Sequence, residues 1–185
     1  MHCPFCHGYE VRDQRIGVLA SGPMAVHQAM MFRLLSPHVI VLAHTTPPTP
    51  DQSIDLAQRG IAVASGTVAE VLSQQDKLTG VRLADGSHVD LDALVVASFV
   101  RARADFLAPL GLLPAEFTVN GHVMATRIET GPNGATDVPG LWIAGNTSEP
   151  MAQVVNAAAS GLAAASAIIA EVVSARPIHQ QPQRS

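Results

Sequence analysis

Short apolar runs alternate with helix-like stretches along the first half of the chain. Residues 15–20 form an apolar run that ends at a Ser-Gly-Pro turn, and residues 24–35 follow with apolar positions at helical spacing. Residues 39–42 are again continuously apolar. Because strand, helix and strand in this order form a βαβ unit, the pattern predicts a parallel sheet at the core.

The next part of the pattern predicts a second helix, further parallel strands and an antiparallel meander. Residues 51–59 predict a helix that is capped near Thr49 and ends at Gly60. The strands predicted after it are residues 61–64 and 94–97 in the parallel sheet, and residues 67–72, 78–83 and 88–91 in the meander, where Asp85-Gly86 is a hairpin turn.

The pattern predicts a domain boundary after residue 97. The elements predicted beyond it are a short helix at residues 106–110, a weak strand at 122–124, a loop at 131–134, a buried strand at 138–146 and a long helix at 152–173. Residues 174–185 have no periodicity and are predicted to be disordered. The chain is therefore expected to have an α/β fold with a Rossmann-like domain at residues 9–97.

Composition narrows the functions that this fold could serve. Apolar residues make up 48% of the chain, charged residues 14%, and the formal net charge is −4. Because the basic residues are scattered, nucleic acid is not an expected partner. The helix at 152–173 is rich in Ala and Ser, so we predict a packed core helix and no membrane partner. The first residues do not resemble a signal peptide, which favours a cytoplasmic protein.

Two cysteines with two residues between them, Cys3 and Cys6, form the sharpest motif. This spacing lets a disulfide close locally, and a thiolate beside a helix N-terminus is nucleophilic at neutral pH. Two buried structural cysteines or half of a zinc site are the alternatives, but there is no second cysteine pair. We therefore predict a redox site and no metal. His7 is either a proton donor and acceptor for dithiol oxidation or an exposed turn residue.

The turn between the first strand and the first helix, residues 20–25, approximates a dinucleotide-binding fingerprint. In such a fingerprint, small residues let the backbone approach a pyrophosphate at the helix N-terminus. Gly22 and Ala25 fit, whereas Ala20 replaces the first glycine. No acid closes the second strand and no Arg follows it, so the choice between NADH and NADPH stays open. A purely structural turn is the alternative.

A third motif runs from an apolar stretch into Ala144-Gly145-Asn146, and the long helix follows a few residues later. Backbone N–H groups at such a junction suit a hydroxyl-rich ligand. Taken by itself, the motif indicates only a connection from strand to helix.

Together and in this order, the three motifs resemble the thioredoxin-reductase-like family of FAD-dependent pyridine nucleotide-disulfide oxidoreductases. Residues 3–10, Cys-Pro-Phe-Cys-His-Gly-Tyr-Glu, are similar to the redox motif of its dithiol-oxidase branch. Ala144-Gly145-Asn146 matches the position of the family's late Ala-Gly-Asp flavin motif. The resemblance covers residues 2–173. It implies a redox-motif segment at residues 1–8, an NAD(P)-binding-like Rossmann domain at 9–97 and the C-terminal part of an FAD-binding domain at 98–173.

The resemblance also implies roles for individual residues and partners. Cys3 would meet the substrate, Cys6 would face the flavin, and His7 would assist them. The residues that would bind cofactors are Gly22, Pro23, Met24 and Ala25 for NADPH or NADH, and Gly145, Asn146, Ala152, Gln153 and Val154 for FAD. The implied partners are a small dithiol or disulfide substrate or a thioredoxin-like protein, and a second copy in a homodimer.

Departures from the family pattern change what we expect of this chain. The family's first FAD segment lies upstream of the cysteine motif, so we expect a truncated form that binds FAD weakly or depends on a partner chain. Asn146 replaces the usual acid, although its amide still suits a ribityl hydroxyl. The absence of nucleotide-site arginines favours a dithiol oxidase over a nicotinamide-driven reductase. The alternative is an inactive Rossmann-fold remnant that acts as a binding or oligomerisation module.

Overall fold

The computed structural model describes residue 1, residues 3–119 and residues 121–175. The chain divides into two compact units, of which the first is Met1–Ser98 and the second begins at Phe99. The segment predicted to be disordered lies mostly outside the described residues. Residues 174 and 175 are an exception, because they belong to the last helix.

The first unit is built on a four-stranded parallel sheet. Its strands are β1 (Ile16–Leu19), β2 (Val39–Ala43), β3 (Ala62–Ser65) and β7 (Ala93–Val96), in the order β3-β2-β1-β7. The helices of this unit are α1 (Pro4–His7), α2 (Ala25–Arg33) and α3 (Pro50–Gln58). An antiparallel meander is formed by β4 (Val68–Gln74), β5 (Lys77–Leu83) and β6 (His88–Asp90). The predicted α/β fold with a central parallel sheet and a meander is confirmed.

β1 is apolar throughout because the sheet is covered on both faces. Ile16 and Val18 are fully buried in a core that they share with Phe32 of α2. Gly17 points to the other face, where Leu91 belongs to the core beneath the meander. A Cβ at Gly17 would lie 2.5 Å from a methyl carbon of Leu91. Continuous apolar runs are typical of strands buried in this way.

Local bonds set the ends of these elements. Thr49 is the N-cap of α3, as predicted, and forms a capping box with Gln52: its hydroxyl accepts the N–H of Gln52 at 3.2 Å, and the Gln52 side chain accepts the N–H of Thr49 at 2.9 Å. Ahead of β1, the guanidinium of Arg15 bonds Asp92 with an Nη2–Oδ1 distance of 2.6 Å and an Nε–Oδ2 distance of 3.0 Å. These hydrogen bonds lower the pKa of Asp92 to about 2. The pair joins the start of β1 to the residue before β7.

The second unit contains fewer regular elements. Its strands β8 (Ala115–Val119) and β9 (His122–Arg127) are antiparallel, and its long helix is α4 (Val154–Ala175). Single turns of 3-10 helix occur at Asp105–Leu110, Pro132–Gly134 and Gly145–Thr147. The sequence pattern predicted β9 only in part and missed β8. These two strands pair with each other, and Ala125 of β9 also forms a single parallel bridge with Val100.

The strand predicted at residues 138–146 is wrong. Its pairing is limited, within the described residues, to a single bridge between Ala135 and Trp142. The N–H of Ile143 donates to the carbonyl of Gly134 at 2.8 Å, and Gly134 has a φ of +81°. The chain therefore folds back on itself here, and its backbone groups are satisfied within the loop.

α4 is far more exposed than a packed core helix, so that prediction is also wrong. Ala164 is its one buried residue among those described. Val155, Leu162 and Ile169 recur every seven residues on the side away from Ala164, and Leu162 is 71% exposed. By length and composition alone, with a mean hydropathy of 1.6, α4 could also cross a membrane, and only 6% of it is buried within the structure.

We predict that Gly17→Ala lowers the free energy of unfolding by about 1–3 kcal/mol, the usual cost of overpacking a core. The new methyl group would meet Leu91 and would also lie 3.3 Å from Leu42. Urea unfolding followed by circular dichroism measures the loss. Gly22→Ala is the matched control, because a Cβ there has nothing within 4 Å. Equal losses at both positions would contradict the proposed crowding beneath the meander.

Candidate redox and cofactor sites

The cysteine pair occupies a single helical turn at the start of the first unit. Cys3 is the N-cap of α1, and Pro4 occupies the first helical position. Proline is tolerated there because the N–H group that it lacks would have no partner within the helix. Cys6 follows at a spacing of three, which places both side chains on one side of the turn. The two sulfurs are not joined by a disulfide, and Cys6 is the more exposed of the two.

The two thiols interact with each other. A hydrogen bond with Cys3 is the largest cause that raises the pKa of Cys6, and the nearby protein atoms and the charge of Cys3 act in the same direction. Such a bond favours the protonated form of the thiol that donates it. The two thiols are therefore close enough to hydrogen-bond each other on one side of the turn, as a redox pair requires.

His7 is oriented by an acid one turn further along. Its Nδ1 atom lies 3.0 Å from Oε1 of Glu10. A carboxylate only accepts hydrogen bonds, so Nδ1 carries the proton and Nε2 is left to accept another. His7 is well exposed, at 62% of its side chain, which suits both a proton relay and a turn histidine.

Two exposed aromatic side chains flank the cysteine pair. Phe5 is 81% exposed and Tyr9 is 70% exposed. The guanidinium carbon of Arg12 lies 4.5 Å from the centre of the Tyr9 ring, and Arg12 also bonds the Tyr9 hydroxyl. The contact between Tyr9 and Arg12 is not evident from the motif at residues 3–10, because it depends on the 3-10 turn formed by residues 8–11.

The predicted nucleotide-binding turn lies at the carboxyl end of β1. The carbonyl of Ala20 accepts the N–H groups of Thr45 at 3.1 Å and Thr46 at 2.9 Å, so the loop after β2 folds beside this turn. Nothing lies within 4 Å of the position that a Cβ of Gly22 would take. The packing of the described residues therefore does not require glycine here, and the open space suits a ligand that approaches the backbone closely.

The start of α2 fits a phosphate group. Its N-cap, Met24, provides no side-chain cap, so the first N–H groups of α2 have no side-chain acceptor at that position. Pro23 is exposed, whereas Ala25 is buried in the core and contributes packing. Residues 44–46 contain neither acid nor Arg. The residues present thus fit the diphosphate of a nicotinamide nucleotide and do not distinguish its ribose.

The predicted flavin motif lies in the second unit, where Gly145 contacts α4. Gly145 has a φ of +77°, and its N–H donates to Oγ of Ser160 at 2.8 Å. Because that N–H is already bonded, the exposed Asn146 is the polar side chain of the motif that remains available to a ligand. Ser160 is fifteen residues further along the chain, too far for any local pattern to have predicted this bond.

The helix after this motif begins later than predicted. Ala152 and Gln153 precede α4, and the carbonyl of Gln153 accepts the N–H of Ala157 at 2.9 Å. The side chain of Val154 at the first helical position is exposed. Asn146 and the first turn of α4 therefore fit part of a flavin site. Within the described part of the chain, no group of three metal-ligating side chains lies together.

These features define a class of protein, an α/β protein with a Rossmann-like parallel sheet and a cysteine pair of the kind found in disulfide oxidoreductases. The family model for pyridine nucleotide-disulphide oxidoreductases matches residues 6–161. The chain belongs to this family. The match confirms the resemblance and the Rossmann-like and FAD-type folds that it implied.

Individual relatives agree with this assignment. The chain is 31% identical over 171 residues to thioredoxin reductase tcpT of Claviceps purpurea, covering 87% of this chain and 50% of that protein. Among solved structures, HlmI is 38% identical with a TM-score of 0.79, covering 94% of this chain and 52% of HlmI. An oxidoreductase from Agrobacterium tumefaciens is 30% identical with a TM-score of 0.81, covering 95% and 56%. The chain thus spans about half the length of these relatives.

We predict that Cys3→Ala lowers the pKa of Cys6, because it removes the acceptor that holds the Cys6 proton. The rate of Cys6 alkylation by iodoacetamide, followed by mass spectrometry across pH, should then rise at lower pH than in the wild type. Glu10→Gln is the control, since it alters the partner of His7 and leaves both thiols in place. An unchanged Cys6 profile in Cys3→Ala would contradict the proposed hydrogen bond.

Proposed function

We propose that this chain carries the thiol–disulfide exchange chemistry of a flavin-dependent dithiol oxidase. The observation that supports this most is the hydrogen-bonded pair of thiols on the α1 turn, in which we assign Cys6 as the donor and Cys3 as the acceptor. The family assignment supports the oxidoreductase chemistry in general. The loop after β2 offers no Arg to a nucleotide, which supports oxidation of a dithiol over reduction driven by a nicotinamide.

In the proposed reaction, the pair begins as a disulfide. A substrate thiolate attacks the sulfur of Cys3, the Cys3–Cys6 bond breaks, and Cys6 leaves and takes up a proton. The second substrate thiol then loses its proton, for which Nε2 of His7 is a suitable acceptor, and attacks the substrate sulfur bound to Cys3. Cys3 departs as a thiolate to which Cys6 donates. The substrate has lost two protons and two electrons, and the cysteine pair has gained the electrons.

Cofactors would return the pair to its disulfide. FAD, when bound, supplies an acceptor for the two electrons. Asn146 and the first turn of α4 are the residues of this chain that would hold it. A nicotinamide nucleotide would lie against Gly22 and Met24. His7, the cysteine roles and these cofactor residues are proposals that rest on the geometry described above.

The proposed substrate is a small dithiol with apolar parts. Phe5 lies between the two cysteines in sequence and Tyr9 follows closely, and both rings are largely exposed. Such rings favour an apolar ligand beside the reacting sulfurs. The relatives named thioredoxin reductases support a thioredoxin-like protein as a second candidate. A homodimer is part of the same proposal.

We further propose that a second polypeptide segment covers α4 and completes the flavin site. The exposed stripe of Val155, Leu162 and Ile169 is about 20 Å long, from the 1.5 Å rise of a helix, and carries no charge. An apolar stripe of this kind favours burial against protein. The relatives contain about as much chain again as this one spans, 50% of tcpT and 52% of HlmI. A segment equivalent to that remainder is the proposed occupant.

The exchange step can be tested without any cofactor. When the reduced chain is treated with glutathione disulfide, we predict that Cys6→Ser accumulates one glutathione on Cys3, whereas the wild type forms the Cys3–Cys6 disulfide and releases it. Cys3→Ser should react about tenfold more slowly, because its remaining thiol, Cys6, lies inside the turn and not at the N-cap, where the first N–H groups of α1 favour a thiolate. Intact-mass measurements after acid quench give both results. If Cys3→Ser and Cys6→Ser react at the same rate, the assignment of Cys3 as nucleophile is wrong.

The role of α4 can be tested by co-expressing this chain with a fragment of the Agrobacterium oxidoreductase. The fragment is the part of that protein to which this chain does not align. We predict a complex that retains FAD, and that Leu162→Glu prevents it because a charge would be buried without a partner. Val71→Glu is the matched control, since Val71 is exposed on β4 in the other unit. Self-association of the chain or flotation with liposomes, if lost in Leu162→Glu, would instead show that a second copy or a membrane covers α4.

A further inference from the structure

A cavity of about 380 Å³ in the second unit is lined by two arginines and belongs to none of the sites above. Its lining residues are Arg101, Ala102, Arg103, Asp105 and Phe106. It is an open depression, so a ligand would be held mainly by the side chains that line it. The sequence pattern described this segment only as a crossover.

The backbone holds both arginines on one side of the segment. Ala102 and Ala104 are buried, whereas Arg101 and Arg103 are exposed, as expected for an extended chain packed on one face. The N–H of Ala102 donates to Oγ1 of Thr126 at 3.0 Å, which ties the segment to β9. The two guanidinium groups are therefore presented from a fixed backbone, which lowers the entropy lost on binding.

The charges in this cavity do not balance. Nη2 of Arg101 lies 3.6 Å from Oδ1 of Asp105, a loose ion pair with both side chains exposed. Arg103 makes no ion pair with any residue that the structure describes. One carboxylate thus faces two guanidinium groups, and Arg side chains favour the oxygen atoms of phosphate groups.

The cavity also has an aromatic wall. Phe106 is 76% exposed and lines the same space as the two arginines. A phenyl ring left in solvent beside paired guanidinium groups suits a planar ring that is attached to an anion. A simple anion such as inorganic phosphate would gain nothing from contact with the Phe106 ring.

We propose that Arg101 and Arg103 bind the phosphate of a nucleotide whose base stacks on Phe106. Asp105 opposes the phosphate and weakens its binding. The proposal is independent of the cysteine chemistry, because every residue that it uses lies in the second unit.

The probe for this site is adenosine monophosphate, titrated into the full chain and followed by ¹H–¹⁵N NMR spectra. The amide signals of residues 101–106 should shift. Arg103→Gln should weaken binding about fivefold, the size expected for one exposed charge-assisted contact, and Asp105→Asn should strengthen it. Phe106→Ala should weaken the binding of adenosine monophosphate while leaving that of inorganic phosphate unchanged.

The control is Arg59→Gln, which removes the same charge from the C-terminal end of α3 and should leave binding unchanged. Shifts confined to residues 22–26 would place the nucleotide at the turn before α2 and overturn the proposal. Adenosine that binds as tightly as adenosine monophosphate, or an Arg103→Gln variant with unchanged affinity, would do the same.

Discussion

The burial of β1 on both faces is the constraint on which the first unit depends. One face packs against α2 and the other lies under the meander, where Leu91 leaves room only for glycine at position 17. Because β1 cannot shift by a residue without placing a side chain there, its two ends are fixed. The end that leads into Ala20 sets the nucleotide turn, and the beginning, held by Arg15, sets where the cysteine-bearing segment joins the sheet.

The first unit could be predicted from the sequence because its signals are local. The apolar runs, the capping box at Thr49 and the Asp85-Gly86 turn each involve residues within a few positions of one another. The second unit depends on distant bonds. Residues 138–146 are apolar enough for a strand but have no partner beyond one bridge, and the exposure of α4 depends on what packs against it.

The candidate sites likewise include features that could be predicted from local sequence and features that depend on contacts between distant residues. Cys3 and Cys6 were recognised by spacing, and the structure adds that the two thiols are hydrogen-bonded to each other, which spacing does not contain. The pairing of His7 with Glu10 was within reach of the sequence, because three residues separate them on a turn. The bond from Gly145 to Ser160 could not be predicted from the sequence, because fifteen residues separate the two. The cavity at Arg101 and Arg103 could not be predicted either, because its geometry depends on the contact with β9.

The chemistry and the cofactor make different demands on the chain. Thiol–disulfide exchange needs only two sulfurs and a proton acceptor, and the residues from Cys3 to Glu10 provide these within a few helical turns of the first unit. Flavin binding needs an extended surface, to which Asn146 and one end of α4 are the proposed contribution of the second unit. Since the rest of α4 presents an apolar stripe to solvent, exchange at the cysteines is expected to be separable from turnover, for which we propose that a second segment must cover this helix.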